Sequence, residues 1–174
     1  MTALTWSPDR LRLVAASSDA GTGIVRSQMT IMDSTSGKPL LQTPATTVET
    51  ITSLAWSPDG SLMAAGYQQD RDNGRGYVKL VIASHGHQIT SYQPTDTPGI
   101  WTLCWSPRSS RLLALITKNS TAVQIWDTQT HAKIAMYAHG IGVIIDAVAW
   151  SRDGRYLVTG GEDKRLCIWL VPPA

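Results

Sequence analysis

One short phrase occurs four times in this chain of 174 residues: TALTWSPDR ending at Arg10, ITSLAWSPDG over 51–60, IWTLCWSPRS over 100–109 and IDAVAWSRDG over 145–154. The tryptophans that mark it, Trp6, Trp56, Trp105 and Trp150, stand 50, 49 and 45 residues apart. A period of that length belongs to stacked supersecondary units, each too small to bury its own apolar face and each completed by its neighbours. The repeat therefore sets the architecture before composition does, and it favours binding over chemistry.

The second copy shows what one unit is. From Ile51 to Trp56 the chain alternates Ile51, Ser53 and Ala55 with Thr52, Leu54 and Trp56, the pattern of a strand. Ser57, Pro58, Asp59 and Gly60 follow as a type I turn, in which proline presets the second position, Asp suits the third and Gly ends it. Leu62 to Gly66 then forms the return strand. Seven residues past each marker lie Leu13, Met63, Leu112 and Leu157, and nine past lie Ala15, Ala65, Ala114 and Thr159. Apolar or small residues on both sides predict sheets covered on two faces.

A third strand reads as MTIMD (29–33), VKLVI (78–82), VQIWD (123–127) and RLCIW (165–169). A tight connection follows, with Gly37, Gly86 and His131 aligned where a left-handed backbone is needed. A fourth strand is present in three copies only: PLLQT (39–43), QITSY (88–92) and KIAMY (133–137). Four short antiparallel strands per unit make one blade of a propeller. The expected fold is all-β, an arc of four blades with about fifteen strands and no closed ring. It is one segment over 1–174, with blades at about 1–44, 49–93, 99–138 and 144–171.

Ile125-Trp126-Asp127, the closing run Gly160 to Trp169 and the phrase VAWSRDG at 148–154 resemble the WD-repeat β-propeller family. The resemblance runs along essentially the whole chain. It is strong in the fourth copy, good in the third and degenerate in the first two, where Met32 and Val81 replace the tryptophan. It implies a structural hydrogen-bond set of His, Ser or Thr, Asp and Trp. Thr159, Asp163 and Trp169 match that set, and His139 sits about two positions early. In the other copies Ala15, Ala65 and Ala114 stand in place of the hydroxyl, so those blades rely on packing.

Met1 takes the place of Ile51, Ile100 and Ile145, and Val171 to Ala174 leaves no length for a last outer strand. WD-repeat rings normally close with a strand from upstream and have about seven blades, so the resemblance implies the C-terminal part of a ring. Four strands about 4.8 Å apart and about 17–20 Å long give a blade face of about 350 Å². An open arc exposes two of these, each matching the largest apolar patch of a typical monomer. The expected working form is a homo-oligomer, two copies making a ring, or a chain completed by a missing N-terminal part.

Two rims remain for function. The connections between second and third strands differ most, long at Ser17–Gln28 and Tyr67–Tyr77 and short at Lys118–Thr121 and Glu162–Arg165. Variable loops on a rigid scaffold are where binding resides. Arg26, Arg71 and Arg75, with Asp70 and Asp72, read either as a polar contact surface or as solvated loop charges. Thr2, Thr52, Trp101 and Asp146 align at the starts of the innermost strands. Trp101 there suits an aromatic anchor for a partner or packing between blades.

Other classes of function find little support. The composition is 43% hydrophobic and 16% charged with a net charge of +2, and no stretch concentrates Lys and Arg as nucleic-acid binding requires. No apolar run approaches the roughly 18 residues of a membrane span, and no signal peptide is expected from MTALTWSPDR, which lacks a basic segment followed by an apolar one. The cytoplasm is the expected compartment. Cys104 and Cys167 lie in apolar runs and read as buried free thiols. His85 and His87 lack the acidic or Cys neighbours a metal needs. No phosphate-binding glycine loop and no nucleophile elbow is present. No catalytic residue, metal or cofactor is expected, and the partner is a protein or peptide. The reading is a non-catalytic interaction scaffold. Its alternative is an accessory or regulatory propeller of a larger enzyme or signalling protein, of peptidase or translocation type.

Overall fold

The computed structural model describes residues 2–19, 26–47, 49–69, 75–93 and 99–172. They form sixteen strands in four antiparallel sheets. The first sheet holds β1 (Ala3–Trp6), β2 (Arg12–Asp19), β3 (Arg26–Asp33) and β4 (Pro39–Gln42), plus a two-residue β5 (Thr46–Thr47) on β3. The second holds β6 (Glu49–Trp56), β7 (Leu62–Gln69), β8 (Gly76–Ile82) and β9 (Gln88–Tyr92). The third holds β10 (Ile100–Trp105), β11 (Leu112–Thr117), β12 (Ala122–Asp127) and β13 (Ala132–Ala138). The fourth stops at three strands, β14 (Ile145–Trp150), β15 (Tyr156–Gly161) and β16 (Leu166–Leu170). The short β5 accounts for the one strand beyond the expected fifteen.

Each sheet packs face to face on the next, so three cores lie between four blades. Met29 and Ile31 meet Leu54, Trp56 and Met63 in the first core. Val78 and Leu80 meet Ile100, Leu103, Leu113 and Leu115 in the second. Ile116, Val123 and Ile125 meet Ile145 and Leu157 in the third. The approach is close enough that a Cβ on Gly66 would lie 2.6 Å from Cγ2 of Ile100. The result is an open arc of propeller blades.

The turn after each marker tryptophan has a defined chemistry. Gly60 donates its N–H to the carbonyl of Ser57 at 2.9 Å, the Ser57 hydroxyl donates to Asp59 at 2.6 Å, and Gly60 takes a φ of +72°. Hydrogen bonds from Ser57 and Ser61 outweigh the opposing effect of partial burial and hold the Asp59 carboxyl at about 2. In the first copy Arg10 takes the left-handed position at +63°, without glycine's freedom. The backbone is also left-handed at Gly37, Gly86 and His131, at +68°, +72° and +56°.

Four expectations need correction. The third turn is one residue longer than the others: Ser106 N–H reaches Leu112, six residues on, where Ser57 reaches Leu62. Leu113 rather than Leu112 therefore pairs with the marker tryptophan, and Leu115 rather than Ala114 occupies the hydroxyl position of Thr159. The long connections at Ser17–Gln28 and Tyr67–Tyr77 are largely strand, with pairing that runs out to Asp19–Arg26 and Gln68–Gly76. Ile51 does not share a face with Ala55, because a bulge at Thr52 turns it into the first core with Leu54 and Trp56. Cys104 and Cys167 are free thiols but only partly buried.

Candidate functional site

A β-bulge recurs at the start of the innermost strand. The register slips between Ile51 and Ser53, between Ile100 and Thr102, and between Ile145 and Ala147. The unpaired residues are Thr52, Trp101 and Asp146, three of the four aligned starting positions. A bulge bends the strand and re-aims one side chain, which is why bulges collect at barrel rims and beside binding sites. Bulges need no special residue here, so sequence pattern alone does not reveal them.

The bulge sets Trp101 on the rim with 55% of its surface exposed. Its indole Nε1–H donates to the backbone carbonyl of Asp146 on the next blade at 3.2 Å. The ring is thus fixed in direction while its face stays open. Beside it lies a cavity of about 390 Å³, lined by Thr2, Thr52, Ile100, Trp101, Gln68 and Lys118 among others. The four starting positions thus meet at one place: three line the cavity and the fourth anchors the indole. Apolar wall, hydroxyls and a single ammonium suit a peptide side chain rather than a reacting group.

The charged candidates lie elsewhere. Arg26 is exposed at the head of β3, paired in register with Asp19 and Thr47, so it sits on a strand and not in a loop. Arg75 lines a separate polar cavity with Glu49, Tyr77 and Lys79. Arg71, Asp70 and Asp72 fall outside the described residues. Sequence reasoning missed the cluster beside Arg75. Lys79 bonds Glu49 at 3.3 Å and stands 4.5 and 5.2 Å from the rings of Tyr67 and Tyr77, which stack at 5.0 Å. Burial, then the nearby Glu49 charge, pushes the Tyr67 phenol up to about 12. A lysine in mid-strand among apolar residues was the available signal.

The four residues of the structural set form one chain of hydrogen bonds. Trp169 Nε1–H donates to the Thr159 hydroxyl at 2.8 Å, Thr159 meets His139 Nε2 at 2.8 Å, and His139 Nδ1 meets Asp163 at 3.2 Å. Because Thr159 accepts from Trp169, it is free to donate to Nε2, leaving the Nδ1 proton for Asp163. Burial opposes ionisation of Asp163, but the Arg165 backbone N–H and His139 hold its carboxyl below the usual range. His139 lies on the link between β13 and β14, so the set ties the third blade's exit to the fourth blade.

No group of three or more His, Cys, Asp or Glu able to hold a metal occurs among the described residues. His85 and His87 sit exposed with rings 4.6 Å apart. Burial pushes the Cys104 thiol up to about 12, against a contact from Trp150, so it is protonated near neutrality. A roomier cavity of about 650 Å³ lies on the opposite rim, lined by turn residues such as Arg108, Gly154 and Arg155 and without an exposed aromatic ring. No helix among the described residues is long and apolar enough to cross a membrane.

The family described as "WD domain, G-beta repeat" matches residues 37–73 and 133–169. Each match begins at the outer strand of one blade and runs through the inner strands of the next. Two segments of the chain thus match WD repeats. The first match ends before Val81 and the third strand of its blade, whereas the second runs to Trp169. Among curated proteins, the B-type cell cycle switch protein ccs52B of Medicago truncatula is 27% identical over 98% of this chain and 32% of its own length. Protein FIZZY-RELATED 3 of Arabidopsis thaliana is 24% identical, over 98% and 33%. Protein HIR1 of Cryptococcus neoformans is 25% identical, over 97% and 20%. This chain therefore spans about a third or less of these relatives. Among solved structures, U3-55K superposes with a TM-score of 0.73 at 20% identity, over 98% of this chain and 49% of that one. The β-propeller domain of Cps50 (Swd1) from Myceliophteria thermophila gives 0.74 at 16%, over 97% and 51%. These likenesses show the propeller fold.

Proposed function

We propose that this chain is a non-catalytic sector of a WD-repeat propeller that binds a protein or peptide through the rim where its inner strands start. Its two end faces take further blades of the same repeat. The observation that carries the binding reading is Trp101: a bulge places it half exposed beside an open cavity, and its indole is held by Asp146. Large aromatic side chains fixed in this way are the residues on which interface energy concentrates. The named relatives, which are longer proteins with WD repeats, are consistent with a scaffold role.

The test is affinity capture from the source cells with the immobilised chain, its Trp101→Ala variant and an Arg108→Ala control on the opposite rim. A set of proteins retained by the first and third, and depleted at least tenfold by Trp101→Ala, is the expected result. Equal retention by all three overturns the assignment of this rim.

A further inference from the structure

The four marker turns are internal copies of one another, so a departure in one can be read against the rest. Asp9, Asp59 and Asp153 hold the third place after their tryptophans, and each accepts the hydroxyl of the serine that opens its turn. The third turn carries Arg108 there, which cannot accept that bond. Gly154 on the next blade makes room for the change. A Cβ on it would lie 3.1 Å from both Cβ and Cγ of Arg108, so the arginine stem runs across bare backbone. Arg108 and Arg155 both line the cavity of about 650 Å³ between blades three and four.

The same cleft one junction earlier shows the difference. Between blades two and three, Asp59 stands where Arg108 stands, Arg111 where Arg155 stands and Asp127 where Leu170 stands. The N–H groups of Thr128 and Val171 donate to the carbonyls of Arg111 and Arg155 at 2.8 and 2.9 Å, which fixes the correspondence. Arg111 is ion-paired with Asp127 and shares its cleft with Asp59, so its one guanidinium is already neutralised. Between blades three and four both carboxylates are gone and a second guanidinium is added. Neither Arg108 nor Arg155 makes an ion pair among the described residues. Asp153 feels the Arg155 charge, but it is held by the Ser151 hydroxyl at 2.6 Å and the Arg155 backbone N–H at 3.1 Å and lies outside the cavity lining. The earlier cleft draws on its own two blades alone, so whatever stands beyond blade four does not enter.

We propose that the cleft between blades three and four takes a phosphoserine or phosphothreonine side chain of a protein partner. This goes beyond the function proposed above and concerns the opposite rim. Two guanidiniums without a carboxylate between them call for a dianion, and a phosphate monoester brings three acceptor oxygens to them. Ser109 adds a donor, because its Oγ accepts the Arg111 N–H at 3.2 Å and keeps its own proton to give. The cavity is larger than a phosphate group, and Leu112, Val171 and Pro172 supply an apolar wall for the residues on either side of the modified one. A nucleic-acid backbone would need a longer basic track than two arginines.

The experiment is fluorescence anisotropy of the intact chain with a labelled phosphoserine peptide library, beside its unphosphorylated and aspartate counterparts. The variants are Arg108→Asp, which restores the residue of the other three turns, and Arg155→Gln, each checked for folding by circular dichroism. Wild type is expected to prefer the phosphorylated library by about tenfold or more, and each variant to lose about that factor. Trp101→Ala is expected to bind the library as wild type does. Equal binding of phosphorylated and unphosphorylated peptides overturns the inference, and so does a folded Arg108→Asp that binds like wild type. An aspartate library bound as tightly makes this a carboxylate site, and inorganic phosphate that binds where the peptides do not makes it a site for a free anion. Either result overturns the phosphopeptide assignment. Loss of the library with Trp101→Ala moves it to the other rim and overturns it too. In the capture experiment, partners of the Trp101 rim stay with Arg108→Ala, which is expected to shed only phosphoproteins that Trp101→Ala retains. The two readings therefore fail separately.

Discussion

Val123 and Ile125 on β12 are wholly buried, whereas Leu166 and Ile168, at the same register positions on β16, are 78% and 69% exposed. The residue types are alike and so are the strands. Only the neighbour differs: among the described residues β12 has a blade beyond it and β16 has none. The contrast shows that burial in this molecule is set by place in the array rather than by residue. Stability is thus distributed among nearest-neighbour junctions, as in other repeat architectures.

The sharpest way to break the comparison is to shorten both isoleucines. Ile125→Ala is expected to cost about 2–5 kcal/mol in urea denaturation, the usual result for an emptied core site. Ile168→Ala should cost little, because its side chain is already largely exposed. A loss equal to that of Ile125→Ala would erase the distinction between inner and end blades.

A smaller effect separates the fourth blade from the third. Thr159→Val removes the hydroxyl shared by Trp169 and His139, and a loss of about 1–3 kcal/mol is expected, the cost of stranding buried polar groups. At the matching position the third blade already carries Leu115, and Leu115→Val there should cost only about 0.5–1.5 kcal/mol, a lost methylene.

Acid titration probes the turns. Asp59 is depressed to about 2, below its unfolded value near 4, so the native state binds fewer protons across that window. Its contribution is present above pH 4 and disappears as pH falls towards 2. After allowance for screening of an exposed carboxylate it amounts to about 1 kcal/mol. Asp59→Asn should flatten the pH dependence of the urea midpoint between 4 and 2 by that amount. An unchanged slope would assign acid sensitivity to other groups.

The smallest expected change is a gain. Arg10 occupies the left-handed position that Gly60 and Gly154 fill in the second and fourth turns. Arg10→Gly should therefore stabilise by up to about 1 kcal/mol in thermal denaturation. No gain would mean that Arg10 makes a compensating contact.

Much of this arrangement is legible in the chain. The four phrases, their turn residues and the third strands locate four blades because each is written in apolar spacing and in residues that fix backbone angles. What escapes is whatever depends on a single inserted residue or on pairing of polar strands. One extra residue in the Ser109–Ser110 stretch lengthens a turn without altering its look, and that shifts the alignment from Leu113 to Leu112. Ser17, Ser18, Gln68 and Gln69 read as loop because their alternation lacks apolar contrast, yet their backbones pair fully. At the rim, alignment selects Trp101 and Asp146 separately. The indole-to-carbonyl bond that joins them depends on a bulge and on the turn from one blade to the next, neither of which has a residue signature.

The offset between matched units and blades has a further meaning. Because each unit starts on one blade's outer strand and finishes inside the following blade, inserting or deleting a whole unit leaves every internal sheet with four strands. Arrays of this kind can thus be lengthened or shortened without redrawing any seam, and only the terminal surfaces move. The stitch from His139 to Trp169 lies within one such unit and would travel with it.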